Sequence, residues 1–307
     1  MDEPAIFETV EEEAVEFIKS TCALWSLAIS YVYRDGKDRN SLWPPRVLSS
    51  LAALPRLHKL ECQKLSAICL QDLPVGSFPA LKELSTGYTG STAVLASLLP
   101  GLSVLKLTLS ESFKEGLGRI ANLSALTYLD ISFHEDSILS GHDLIALANG
   151  CPHLKTVTLP STHVLMMEDP CPRGKDIDDT TIEAFASALP NLTTLTIGLE
   201  NRSALTHCAI LSLARHCPNL GYFHITADVF VPDLIEGLKE IGDAPLNSMT
   251  FMRFYLPEDI EHTYEDITVL AEQLVRKLAP GLLEFQIING SESDEEFWQL
   301  ADGLCVP

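Results

Sequence analysis

Residues 189–197 read Leu189-Pro190-Asn191-Leu192-Thr193-Thr194-Leu195-Thr196-Ile197. A proline follows a leucine, and the frame Leu-x-x-Leu-x-Ile comes next. Its last part alternates apolar and polar residues with a period of two, the pattern of a short strand with one buried face. The same frame recurs at Leu54-Pro55-Arg56-Leu57 with Leu60 and Cys62, and at Leu99-Pro100-Gly101-Leu102 with Leu105 and Leu107. Two copies carry cysteine before the proline. They are Cys151-Pro152-His153-Leu154 with Val157 and Leu159, and Cys217-Pro218-Asn219-Leu220 with Phe223 and Ile225. Looser copies are Leu24/Leu27/Ile29, Leu81/Leu84/Thr86, Leu126/Leu129/Ile131, Leu246/Met249/Phe251 and Leu282/Phe285/Ile287.

These frames, about ten with a mean spacing of roughly 29 residues, match the upper end of leucine-rich repeats. The segments between them have helical period: Leu144/Leu147/Ala148, Ile210/Leu213/Ala214 and Ile267/Leu270/Leu274/Leu278. Thr9-x-x-Glu12, Thr180-x-x-Glu183 and Ser293-x-x-Glu296 have the spacing of capping boxes that open helices. Neither a short strand nor a short helix buries its apolar stripe alone, but stacked strand-loop-helix units bury both. The expected fold is therefore a single α/β leucine-rich repeat solenoid spanning residues 1–307. It is a horseshoe of about ten repeats with a parallel sheet on the concave side and helices on the convex side.

The passages Asp143-Leu144-Ile145-Ala146-Leu147-Ala148-Asn149-Gly150-Cys151-Pro152-His153-Leu154 and Ala209-Ile210-Leu211-Ser212-Leu213-Ala214-Arg215-His216-Cys217-Pro218-Asn219-Leu220 extend this reading. They resemble the helix-to-strand passage of ribonuclease-inhibitor-like, cysteine-containing repeats, especially those of fungal F-box proteins. The resemblance covers roughly residues 10 to 305. It implies a protein-interaction scaffold, and more finely substrate recognition for an F-box ubiquitin ligase. The F-box itself is absent or encoded elsewhere, because only 23 residues, rich in acids, precede Leu24 and the opening Leu-Pro signature is missing. An adaptor of the ligase is a partner only if that module is supplied. A second function for such repeats is regulation of a small GTPase, although no residue here matches a required arginine. Family members often carry Asn or Cys three places after the last frame Leu. Here Leu65, Thr89, Ser110, His134, Thr162, Glu200, Asp228 and Phe254 stand there, so coil-to-coil regularity should be looser.

Composition narrows the partner. The 307 residues are 46% hydrophobic, enough for a core, and 42 acids against 21 bases leave a formal charge of -21. That charge repels phosphate, arguing against nucleic acid or an anionic membrane and fitting another protein with a basic surface. The acidic N-terminus has no signal or presequence pattern. The longest apolar stretch, Cys22 to Tyr33, is shorter than the roughly 20 residues of a membrane helix. The expectation is an intracellular protein, cytoplasmic or nuclear, whose eight cysteines are reduced. The sequons at Asn122, Asn191, Asn201 and Asn289 then carry no glycan.

Residues 1–21 read as an acidic N-terminal helix or cap and 291–307 as a C-terminal cap helix. The acid runs Glu11-Glu12-Glu13 and Asp294-Glu295-Glu296 keep the ends of the stack polar or dock a basic partner. Residues 161–178 and 255–264 read as inserted loops on the rim, either ligand contacts or surface extensions without a role.

Catalytic, cofactor and metal signatures are sought and not found. Gly174-Lys175-Asp176 lacks the hydroxyl and spaced glycines of a phosphate loop. Cys151-x-His153, His207-Cys208 and His216-Cys217 lack the paired spacing of zinc sites. Cys62, Cys151 and Cys217 fall on core positions of the frame. Asp176-x-Asp178-Asp179 abuts a helix start, where acids favour the dipole. Ser132, His134 and Asp136 have no ordered base. No catalytic residue, cofactor or metal ligand is assigned.

What remains is the concave face, read from the frame as the residues that alternate with the leucines. They include Lys59, Glu61, Glu83, Ser85, Thr156, Thr158, Thr194, Thr196, Ser248 and Thr250. Binding energy concentrates in aromatic and well-desolvated groups. The expected partner-binding residues are accordingly Lys106, Tyr128, Asp130, Tyr222, His224 and Met252.

Overall fold

The computed structural model describes residues 3–29, 44–74, 76–109, 117–134, 136–160, 171–200, 205–241, 246–255, 264–289, 296–301 and 304–306. Each frame forms one strand. They are β1 (Ser26–Ile29), β2 (Lys59–Ser66), β3 (Glu83–Thr89), β4 (Val104–Leu109), β5 (Tyr128–Ser132), β7 (Thr156–Leu159), β9 (Thr194–Ile197), β10 (Tyr222–Asp228), β11 (Phe251–Tyr255) and β12 (Glu284–Asn289). Successive frames pair in parallel with in-register rows. The short strands β6 (Ile138–Ser140) and β8 (Arg173–Lys175) pair separately. This is an α/β leucine-rich repeat solenoid.

Parallel neighbours need crossovers, and most of these are helices. They are α2 (Pro45–Ala52), α3 (Ala67–Gln71), α4 (Thr92–Leu98), α5 (Gly141–Gly150), α6 (Asp179–Ala188), α7 (His207–His216), α8 (Val231–Leu238) and α9 (Tyr264–Gln273), with α1 (Glu3–Ser20) ahead of β1. A 3-10 turn at Leu117–Asn122 takes the helix place between β4 and β5. The core lies between the sheet and the helices. One row of it runs Leu60, Leu84, Leu105, Leu129, Val157, Leu195, Phe223, Met252 and Phe285, all essentially buried.

The proline of the frame has a local reason. Leu102 N–H donates to Leu99 O at 3.1 Å, Leu154 to Cys151 and Leu192 to Leu189, each also at 3.1 Å, and Leu220 to Cys217 at 3.0 Å. This is a four-residue turn with proline at its second place, where its fixed φ fits. Met249 N–H donates to Leu246 O at 3.1 Å in the same way. Leu246 thus plays the part of Leu99, and the frame of β11 begins at Met249, three residues later than the sequence reading placed it. With no proline in this copy, two apolar pairs three residues apart fitted equally well, and only strand pairing decided between them.

Coil-to-coil order comes from hydroxyls at the entry to the strands. Oγ of Ser103 donates to Lys82 O at 3.1 Å, Thr127 to Ser103 O at 3.0 Å, Thr193 to Lys155 O at 2.9 Å and Thr250 to Gly221 O at 3.1 Å. The register shifts within two strands, between Cys62 and Lys64 and between His224 and Asp228. Thr193→Val should therefore cost about 1 kcal/mol and Thr193→Ser much less, as read from urea midpoints. Equal losses would remove the hydroxyl ladder.

Several expectations need correction. The segment read as a C-terminal cap helix, where described, is β13 (Glu296–Ala301), which adds antiparallel to β12, and β14 (Leu304–Val306), which adds antiparallel to β13. The open edge of β12 offers unpaired backbone groups, and that pull outweighs a capping-box spacing. Asp294 and Glu295 lie outside the described residues. Thr9 is interior to α1. Helix α6 is capped by Asp178, whose carboxylate accepts from Thr181 N at 2.8 Å, so Thr180 lies inside it. The inserted segment 161–178 is not all loop, because β8 lies within it. Residues 161–170 and 256–263 of the two insertions lie outside the described residues.

Candidate functional site: the concave face of the sheet

Alternation along each strand sends one row of side chains to the core and the next to the open face. The central open row is Glu61, Ser85, Lys106, Asp130, Thr158, Thr196, His224, Arg253 and Gln286. Its middle is deep: Asp130 is 6% exposed, His224 is 2%, and Thr158 and Thr196 are also buried. The row before it carries the rings Tyr128, Tyr222 and Phe251. The floor of the face is therefore polar and its flank aromatic.

Five of the six expected residues lie on this face, in two groups. Lys106 and Asp130 are in register on β4 and β5. The Lys106 ammonium sits 5.2 Å from the centroid of the Tyr128 ring, a cation-π contact. The Tyr128 hydroxyl donates to Asp130 Oδ2 at 3.4 Å. Burial first, and then the Asp130 charge and hydrogen bond, raise the Tyr128 pKa above its usual value. These three line one wall of a cavity of about 420 Å³ over β1–β5, or adjoin it; Glu61, Ser85 and Ser132 also line it.

Tyr222 and His224 form the second group, on β10. Tyr222 stacks on Phe251 of β11, with centroids 4.3 Å apart and planes 5° from parallel. His224 is in register with Arg253. Burial, with Arg253 adding to it, pushes the His224 pKa down to about 3. Between the groups run Thr156, Thr158, Thr194 and Thr196 of β7 and β9. Three strand spacings separate Asp130 from His224, on the order of 14 Å.

Met252 is the correction. It is 0% exposed and occupies the core row between Phe223 and Phe285. The three-residue shift of its frame turns the strand over, because an odd slip exchanges the two faces. Phe251 and Arg253 take the open positions assigned to Met252 and its neighbours, and Ser248 and Thr250 precede the strand. With no Leu-Pro turn in this copy, the sequence carried no local signal that would have found Phe251 and Arg253.

The cysteines of the frame act in the core. Cys151 Sγ donates to Leu123 O at 3.3 Å and Ile120 O at 3.6 Å; Cys217 Sγ donates to Leu189 O at 3.5 Å and Ala186 O at 3.6 Å. Each thiol thus serves carbonyls of the preceding coil, and burial pushes both pKa values up to about 12. Cys62 is pushed up to about 11, by burial first. His207 and Cys208 face solvent side by side. Among the described residues, no three of His, Cys, Asp and Glu are grouped to hold a metal ion. No helix described is long and apolar enough to cross a membrane. Asp136 lends its charge to Arg173, which is held above its usual pKa chiefly by a hydrogen bond to Glu200.

No protein-family model matches the chain, and no curated protein matches it. Solved structures similar to it are leucine-rich repeat proteins. An internalin from Listeria monocytogenes is 14% identical with a TM-score of 0.47, covering 88% of this chain and 87% of its own. The leucine-rich repeat protein LegL7 of Legionella pneumophila is 14% identical with a TM-score of 0.42, covering 92% and 89%. A leucine-rich repeat protein of Leptospira interrogans is 18% identical with a TM-score of 0.44, covering 80% of this chain and 53% of its own. Their likeness is one of fold.

Proposed function

We propose that this chain is a protein-interaction scaffold whose concave face grips another protein, with the aromatic pair Tyr222/Phe251 as its anchor. The observation that carries this reading is that pair. Two rings stacked 4.3 Å apart stand half-buried on a face whose central row is polar. Rigid aromatic surface beside polar groups gains much on burial and loses little entropy, which is why such residues dominate interfaces. The threonine floor between the two groups offers hydrogen-bonding positions to a chain laid across the strands.

Proximity labelling in the source cell identifies candidate partners, and affinity measurement decides among them. Tyr222→Ala with Phe251→Ala should weaken binding of a true partner at least tenfold, about 1.4 kcal/mol or more, with the fold intact by circular dichroism. A partner held equally well by the double variant would sink the reading.

The finer reading is substrate recognition for an F-box type ubiquitin ligase. Its support is the likeness of residues 143–154 and 209–220 to the repeats of such proteins, including the buried Cys151 and Cys217. If the folded chain, joined to any natural flanking sequence, recovers no ligase adaptor, that role falls and the scaffold reading stands.

A further inference from the structure

Asp130 is the one acid among the buried polar residues described. Its Oδ2 accepts a long hydrogen bond from Tyr128. Its Oδ1 is buried and has no hydrogen-bond partner among the described residues. The obvious counter-ion is Lys106, in register on the next strand, yet its ammonium lies over the Tyr128 ring instead. Among the described ion pairs, none joins Lys106 to Asp130. A carboxylate taken out of water with one oxygen unserved is costly, and the cost is recovered when a donor arrives.

The surroundings say which donor. Asp130 lines the cavity of about 420 Å³, and Glu61, an exposed second carboxylate, lines it three strands away on β2, with Ser85 and Lys106 in register between them and Thr108 and Ser132 also lining it. The cavity thus presents two carboxylates and several hydroxyls able to accept, and the one cation among its described lining residues is engaged by a ring face. A guanidinium offers five donors in a planar fork and sheds water more readily than an ammonium does, so it suits a buried carboxylate beside several oxygens. The formal charge of -21 attracts a basic surface to the chain as a whole.

We propose that the concave cavity over β1–β5 receives an arginine side chain of the protein partner, whose guanidinium donates to the Asp130 carboxylate while Glu61, three strands away, supplies a second negative charge. The proposal rests on the concave-face reading and names the chemistry of what that face takes. It also assigns opposite signs to neighbours: Asp130 and Glu61 favour the incoming cation, and Lys106 opposes it.

The test selects a displayed library of random twelve-residue peptides on the full-length protein. Peptides rich in arginine should be enriched. Asp130→Asn should weaken their binding tenfold or more, Glu61→Gln several-fold, and Lys106→Met should tighten it. Asp130→Asn should melt no lower than wild type, since the change removes a half-served buried charge; the exposed Glu61→Gln and Lys106→Met carry the test if that variant fails to fold. Binders that Phe251→Ala weakens, but that lack arginine or ignore Asp130→Asn and Glu61→Gln, overturn the arginine site and leave the concave face standing. Enrichment of lysine over arginine overturns the guanidinium assignment. If no binder responds to either Phe251→Ala or the cavity variants, both readings fall.

Discussion

Phe223→Ala should destabilise the chain by about 3–5 kcal/mol, the usual cost of emptying a buried aromatic site. The ring is 1% exposed and stands in the core row between Leu195 and Met252, so its loss opens a void touching three consecutive coils. In a solenoid, stability is close to a sum of repeat and interface terms. One breach in β10 therefore weakens two interfaces together. The urea midpoint should fall, and the single transition should broaden or split as the coils on either side uncouple. The control is Leu283→Ala. Leu283 is 73% exposed, on the residue just after a frame leucine, and its truncation should stay within about 0.5 kcal/mol. Equal midpoints for Phe223→Ala and Leu283→Ala would remove the inward spine on which the fold rests.

Mild acid should be the second large effect. His224 is buried, and that burial, aided by Arg253, lowers its folded pKa from 6.5 to about 3. The ring is neutral in the folded protein at neutral pH and contributes no loss above pH 6.5. As pH falls below 6.5, the unfolded chain takes up a proton that the folded chain refuses until about pH 3. Stability therefore declines through that window, by up to about 1.4 kcal/mol per pH unit. At pH 4.5 the deficit from this one residue is on the order of 2–3 kcal/mol. Thermal melts of wild type and His224→Gln at pH 7 and pH 4.5 measure it. The variant should lose clearly less on acidification, and equal losses would mean that the histidine ring is solvated.

Legibility differed by the kind of signal. Leucines at a fixed spacing lie on the chain itself, so each frame could be matched to a strand without coordinates. The Cys-Pro passages likewise placed Cys151 and Cys217 in the core, because register alone sets their position. The frame of β11 was harder. Leu246, Met249 and Met252 are each three apart, and a local pattern has no means of choosing among equal steps. The C-terminal segment failed for a different reason. Ser293-x-x-Glu296 has a helix-start spacing, but Glu296–Ala301 lies beside the unpaired edge of β12 and joins it. Local propensity yielded to a partner distant in sequence.

The amino-acid sequence by itself determined that apolar residues repeat at one coil's length and turn inward together, since hydrophobic burial acts on each coil in the same way. It also determined most of the open face, which follows from alternation once the inward residues are known. Only the tertiary structure decided that Phe251 and Arg253 face the open side while Met252 fills the core, because pairing with β10 and β12 fixes the face of β11. It alone showed that Asp130 is buried with an oxygen unserved and that Lys106 looks away from it. Burial and ion pairing depend on what neighbouring coils bring alongside, which no single coil encodes.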